Sequence, residues 1–263
     1  MRRISQIILA VVLLGVAPGW AAESDSHGPT ASAGRGVVEA KAAVIPCTGT
    51  VDAALLASIE RRSEMAIAAG ADYLIYEIST YGGLVNAADS IAKYFIQTVG
   101  DRAQTVAYVT TEAISAGAMI SVSCNDIVMR HSTTIGACAP ISMGGTLEGV
   151  EREKIESFIR SIFQRAAEAN GYPTLLLKAM VTVKIEVWRA RNLETGQWEF
   201  LEGAPSDPNT YDVAGAEEIV DANELLTLTD SEALEYGVAR AVVADRDEAL
   251  AFLEKRSPRF VGR

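Results

Sequence analysis

The chain has 263 residues, 34 acidic against 23 basic side chains, and 49% hydrophobic composition. That suits one α/β domain of about 200–250 residues with appendages. The acidic balance, with no basic cluster interleaved with aromatics, excludes nucleic acid as an expected partner, because phosphate binding needs a positive face.

Residues 1–22, MRRISQIILAVVLLGVAPGWAA, open on Arg2 and Arg3 and pass through an apolar run, Ile7 to Val16, before small residues. The run is too short to span a bilayer comfortably, and the pattern is that of a secretory signal peptide. An uncleaved anchor is the rival reading, given Trp20 beside the expected cut. Either way the expected location is outside the cytoplasm, in a bacterial periplasm or tethered to the outer side of the membrane. Residues 23–40 are small, polar and Gly/Pro-rich, and read as a flexible linker. The folded domain is expected over 41–256.

Strands and helices alternate from there. AVIPCTGTV reads as a strand, and the run from Asp52 as a helix capped by that aspartate, with Leu55, Ile59 and Ile67 on one face. DYLIYEI is a strand, LVNAADSIAKYFIQTV a helix, QTVAYVT a strand and AGAMISVSC a helix. Short strands DIVMRH and TTIGACAPI precede a long helix that Gly171 and Pro173 close. This order predicts a mostly parallel sheet wrapped by helices. KIEVWRARNLETGQWEFL departs from it and reads as a β-hairpin insertion.

Cys47, Cys124 and Cys138 allow at most one internal bridge; Cys124 with Cys138 is one reading, buried free thiols the other. With only His27 and His131, neither a zinc cluster nor a His-based serine triad is expected. His131, in RHST between strands, reads as a surface turn.

Ser115 is the lone hydroxyl at a strand-to-helix corner, before Ala116 and Gly117. The plain reading is a helix N-cap. The chemical one is a nucleophile whose neighbouring first-turn amides are open donors. Its base would then be a lysine, and Lys154 is the best placed. It lies one turn from both Val150 and Phe158, at the margin of the stripe Val150, Ile155, Phe158, Ile159, Ile162, Phe163. From there its ammonium is expected to point into the domain edge, although a lysine with its stem on the core and its head in water fits the same position. Gly82-Gly83, between strand and helix, would let backbone N–H groups face an oxyanion, or would serve only tight packing.

STYGG, AISAGAMI, TTIGACAPI and Lys154 at the start of a long helix together resemble the Clp-protease-like serine peptidases of the NfeD class, over about Val44 to Leu253; LLTLTDSEALEYGVARAVV matches their C-terminal pattern. The resemblance implies a ClpP/crotonase-like fold, a mostly parallel sheet in repeated β-β-α units, and membrane-associated Ser–Lys dyad chemistry. On the matching positions it implies Ser115 as nucleophile, Lys154 as general base, and the amides of Gly83 and Ala116 as the oxyanion hole. Gly82 and Tyr81 would meet the substrate, and no metal or cofactor is implied. The histidine of histidine-using relatives falls at Cys138. It implies a protein or peptide substrate, with stomatin-like membrane proteins as partners, and self-association into a homo-oligomer, a dimer or higher. The chain departs from the family pattern at Tyr81, where proline is usual and its loss is expected to loosen the turn. It departs again at Glu112 and Ile114 before the serine, which are expected to narrow the site or alter its specificity. Some relatives place an aspartate near the lysine, and Glu186 is only a weak substitute. No GxxxxGK[ST] occurs, so an unfoldase would be a separate protein. The alternatives are a catalytically degraded peptide-binding or scaffolding module and, less suited to an exported chain, a crotonase-type acyl-thioester enzyme.

Overall fold

The computed structural model describes residues 12–13, 40–141 and 148–256. Most of the segments read as signal peptide and linker lies outside them. The elements are β1 (Val12–Leu13), β2 (Lys41–Thr48), α1 (Ala53–Ala68), β3 (Tyr73–Thr80), α2 (Val85–Lys93) with a π-helical continuation Tyr94–Val99, β4 (Gln104–Ile114), α3 (Ala116–Val122), β5 (Asp126–Arg130) and β6 (Thr134–Gly136). There follow α4 (Gly149–Asn170), α5 (Thr174–Ala179), β7 (Val187–Arg191), β8 (Trp198–Glu202), β9 (Glu217–Val220), β10 (Thr227–Thr229), α6 (Asp230–Glu235), β11 (Ala241–Val243) and α7 (Arg246–Glu254).

The main sheet runs β1-β2-β3-β4-β5-β11, parallel from β2 to β11. Its central strands are buried on both faces, as parallel sheets between helices must be. In β3, Leu74, Tyr76 and Ile78 enter the larger core with residues of α1 to α5, while Tyr73 and Ile75 meet Ala249, Leu250 and Leu253 of α7. The mostly parallel α/β fold is therefore as the alternating pattern predicts.

Two local features set the site. β4 is longer than the apolar run Thr105 to Val109 indicates. Its first half pairs with β5 through Val109, its last three residues pair with β6, and the register against β3 shifts between Ile78 and Thr80. The polar stretch before Ser115 is thus strand, held by pairing that its side chains do not advertise. The second feature is the seating of α4 on α2, where buried Asp89 takes Arg165 at 2.8 Å and Lys93 at 2.6 Å. Paired on both sides, that carboxylate fixes the helix that carries Lys154.

Helix ends follow the sequence. Asp52 accepts from the amides of Ala54 and Leu55, Gly171 closes α4 at φ 72°, and Thr229 with Glu232 forms a capping box on α6. The predicted hairpin is β7–β8, turned around the Asn192 side chain, which accepts from Glu194 and Thr195. β9, not foreseen in the sequence, pairs with the other edge of β7. Phe200 meets Tyr236 edge-on, which docks this small sheet on α6. Among the described residues no helix is long and apolar enough to cross a membrane.

Candidate active site

Ser115 occupies the corner between β4 and α3 with φ 56° and ψ −118°, a region that L-residues enter only under constraint. The constraint is visible: its amide donates to the carbonyl of Gly136 on β6, and its carbonyl accepts from Met119 in α3. Its hydroxyl makes no capping bond to the helix it precedes. Ser115 thus stands at the N-cap position without a side-chain cap bond, and it lines a cavity. Backbone strain of this kind persists only where the surrounding bonds hold it. Ser115→Gly is expected to relieve it, stabilising the fold by about 1 kcal/mol. Thermal unfolding would then show a Tm higher by about 2–4 °C.

Opposite Ser115 lies the Gly82-Gly83 turn. Gly82 has φ 117°, and a β-carbon there would stand 2.8 Å from Cβ of Ser115 and 3.3 Å from the Ala116 nitrogen. The backbone of Gly82 thus packs directly on the serine. At Gly83 a β-carbon would come within 2.2 Å of the Val51 carbonyl oxygen, so only glycine passes. Val51 donates to the Gly82 carbonyl at 3.0 Å and accepts from Leu84 at 2.8 Å. Those bonds use one edge of the extended segment, and the N–H and C=O of Gly83 face the other way. Among the described residues neither the Gly83 amide nor the Ala116 amide donates a hydrogen bond. At Tyr81, where proline is absent, the turn has another brace. Buried Thr80 donates to the Gly49 carbonyl and accepts from the Gly82 amide, which fixes the turn from beneath. Sequence reading missed Thr80 and Val51 because neither carries site chemistry; they hold the residues that do.

A cavity of about 420 Å³ opens here. Its polar end is made by Gly83, Asn86, Ser115 and Lys154; its apolar wall includes Val85, Pro140, Ile155, Phe158 and Ile159. The fold thus brings Ser115, Gly83 and Lys154 to one cavity from three separate elements. Asn86 joins them unpredicted. Lys154 itself is exposed, as are its neighbours Val150 and Phe158. The expectation that its ammonium points into a dry domain edge is therefore corrected. The α4 stripe meets the core from Ile155 and is fully buried from Ile159 onward, while Lys154 lines the cavity as an exposed residue. Glu186 is not its companion: the carboxylate accepts from the indole N–H of Trp188.

Cys138 also lines the cavity, beside the Ser115 hydroxyl. Burial pushes its thiol up to about 12, with the Ser115 hydroxyl opposing that only in part. At neutral pH it is a thiol, so it supplies neither a base nor a rival nucleophile. Cys47 and Cys124 are likewise buried, with burial raising both, and all three cysteines are free. The Cys124–Cys138 bridge does not form. His131 is exposed, 3.7 Å from Asp230 through Nδ1, and takes no part in this cavity. Tyr81 is largely exposed and does not line the cavity, and its hydroxyl lies toward Glu112.

The sequence profile of the NfeD1b N-terminal domain family matches residues 41–204. The membrane protein NfeD1b of Bacillus subtilis (strain 168) is 33% identical over 143 residues, which are 54% of this chain and 31% of that protein. The chain therefore spans about a third of that curated relative's length. Among solved structures, a serine-to-alanine mutant of the 1510-N membrane-bound stomatin-specific protease superposes with a TM-score of 0.57 at 22% identity, over 79% of this chain and 82% of that one. ClpP1 from Listeria monocytogenes superposes with a TM-score of 0.51 at 17% identity, over 78% and 93%. At those identities the likeness speaks for the fold. The chain belongs to the NfeD1b N-terminal domain family and has a ClpP-like α/β fold.

Proposed function

We propose that this domain is an ATP-independent serine endopeptidase in which Ser115 attacks and Lys154 serves as general base. The observation that carries the reading is the convergence of a strained serine without a side-chain cap bond, the glycine whose amide is undonated and a lysine on one largely apolar cavity, with the undonated Ala116 amide directly after the serine. A peptide enters extended and pairs with the free edge of Gly83, placing one apolar side chain in the cavity. The chain then lies over the mouth and takes water from the Lys154 amine, and desolvation favours the neutral form of an amine. The amine removes the Ser115 proton as the oxygen bonds to the scissile carbon. The oxyanion meets the amides of Gly83 and Ala116. The lysine returns the proton to the leaving amine, and water, activated by the same amine, releases the acyl group.

Substrates with apolar stretches suit the wall of the cavity. The 1510-N neighbour is named for its stomatin specificity, which favours a stomatin-like membrane protein as substrate or partner. The apolar N-terminal run and the relative's designation as a membrane protein favour an exported domain acting at a membrane surface. Self-association into a dimer or larger ring follows the ClpP-like fold.

The second reading, a peptide-binding module without catalysis, draws on the exposure of Lys154. Treatment with a fluorophosphonate and peptide mapping separates the two. The peptidase gains the adduct's mass on Ser115, whereas a binding module gains none.

A further inference from the structure

Ser115 has two flanks, and they differ in chemistry. The cavity takes up one, and its wall is mainly apolar. Neither Tyr81 nor Glu112 lines that cavity. Glu112 is carried by β4 three residues before the serine, and its strand is pinned there by pairing of Glu112 with Thr134 and of Ala113 with Thr80. Tyr81 adjoins Gly82, whose backbone packs on Ser115. The phenol of Tyr81 faces the Glu112 carboxylate, whose negative charge makes the phenol hold its proton more tightly. Among the described residues no lysine, arginine or histidine forms an ion pair with Glu112. Glu112 as a residue is partly buried.

We propose that Glu112, backed by Tyr81, selects a lysine or arginine of the substrate on the side of the scissile bond opposite the apolar cavity. The inference rests on the peptidase reading and names the substrate class of that site. An extended peptide advances about 3.3 Å per residue, so a basic side chain within about three residues of the bond reaches a carboxylate three strand residues from the serine. Its ammonium or guanidinium supplies the positive partner that the Glu112 carboxylate lacks, and the ring of Tyr81 offers its face to the same cation. The preferred segment is therefore an apolar residue followed or preceded closely by a basic one. That pattern marks the border of a membrane-embedded stretch, where Lys and Arg flank the apolar run.

The test uses the full chain and two matched peptide sets: an apolar residue fixed for the cavity, with either Lys or Glu at the first three positions across the bond. The measured quantity is the ratio of kcat/KM for Lys over Glu peptides in wild type, Glu112→Gln and Glu112→Lys. The ratio is expected to favour Lys by about two- to fivefold in wild type, to approach unity in Glu112→Gln, and to invert in Glu112→Lys. Inversion is a gain on the complementary peptide, which a merely misfolded variant does not give. A wild-type ratio of one, or a Lys preference that persists in Glu112→Lys, overturns the inference while the peptidase reading stands. If wild type cleaves neither set, the peptidase reading falls and takes this inference with it.

Discussion

Ser115→Ala is expected to lower cleavage of an unfolded, apolar-rich peptide library by at least about 10³-fold, the scale seen when a nucleophile acting as part of a unit is removed. The fold should survive unchanged. Alanine tolerates φ 56° no better than serine does, so the strain remains, and the hydroxyl forms no helix cap whose loss would be felt. Wild type and variant should therefore unfold at Tm values within about 2 °C of each other. Rates are read by mass spectrometry of the library, stability by calorimetry. Equal cleavage by both proteins would remove Ser115 from the mechanism.

Lys154→Met is expected to lower kcat by about 10²- to 10⁴-fold, the range assigned to a positioned general base. Stability should shift by less than about 0.5 kcal/mol, because Lys154 is exposed and makes no ion pair among the described residues. Lys154→Arg discriminates further. A guanidinium keeps the positive charge at the cavity but does not give up its proton at working pH. If Lys154 acts as a base, Lys154→Arg is as slow as Lys154→Met. If it only attracts an anionic group, Lys154→Arg keeps most of the wild-type rate.

The alternation of apolar runs and capped helices carried most of the fold. Asp52 begins a helix and Gly171 ends one where local chemistry says they should. The compact apolar run in YLIYEI marked a strand, and the structure buries it on both faces apart from partly buried Glu77. What escaped was decided by pairing at a distance. The residues Thr110 to Ile114 are strand because β3 and β6 lie beside them, and nothing in TTEAI states that. LVNAADSIAKYFIQTV reads as one α-helix but widens to π at Tyr94, a turn that keeps Tyr94, Phe95 and Val99 all buried and stacks Phe95 on Tyr76.

The site divides the same way. Ser115 and the glycine pair were visible as residue types at a strand-to-helix corner, and the structure adds a reason for each in the strain at one and the Val51 contact at the other. Lys154 was found from helical periodicity, but periodicity does not tell where a stripe leaves the core, and Val150 and Lys154 on α4 are exposed. Thr80 and Asn86 went unnoticed because a buried hydroxyl bracing a turn and an amide lining a cavity look like any other polar residue in a sequence.

The rate constant for fluorophosphonate inactivation, followed from about pH 6 to 10 in wild type and Lys154→Met, tests the pairing of hydroxyl and amine most directly. The wild-type rate should exceed that of Lys154→Met by at least about 10²-fold over this range, because only the amine can accept the Ser115 proton. Two superimposable curves would show that the serine is activated without Lys154, and would contradict the account.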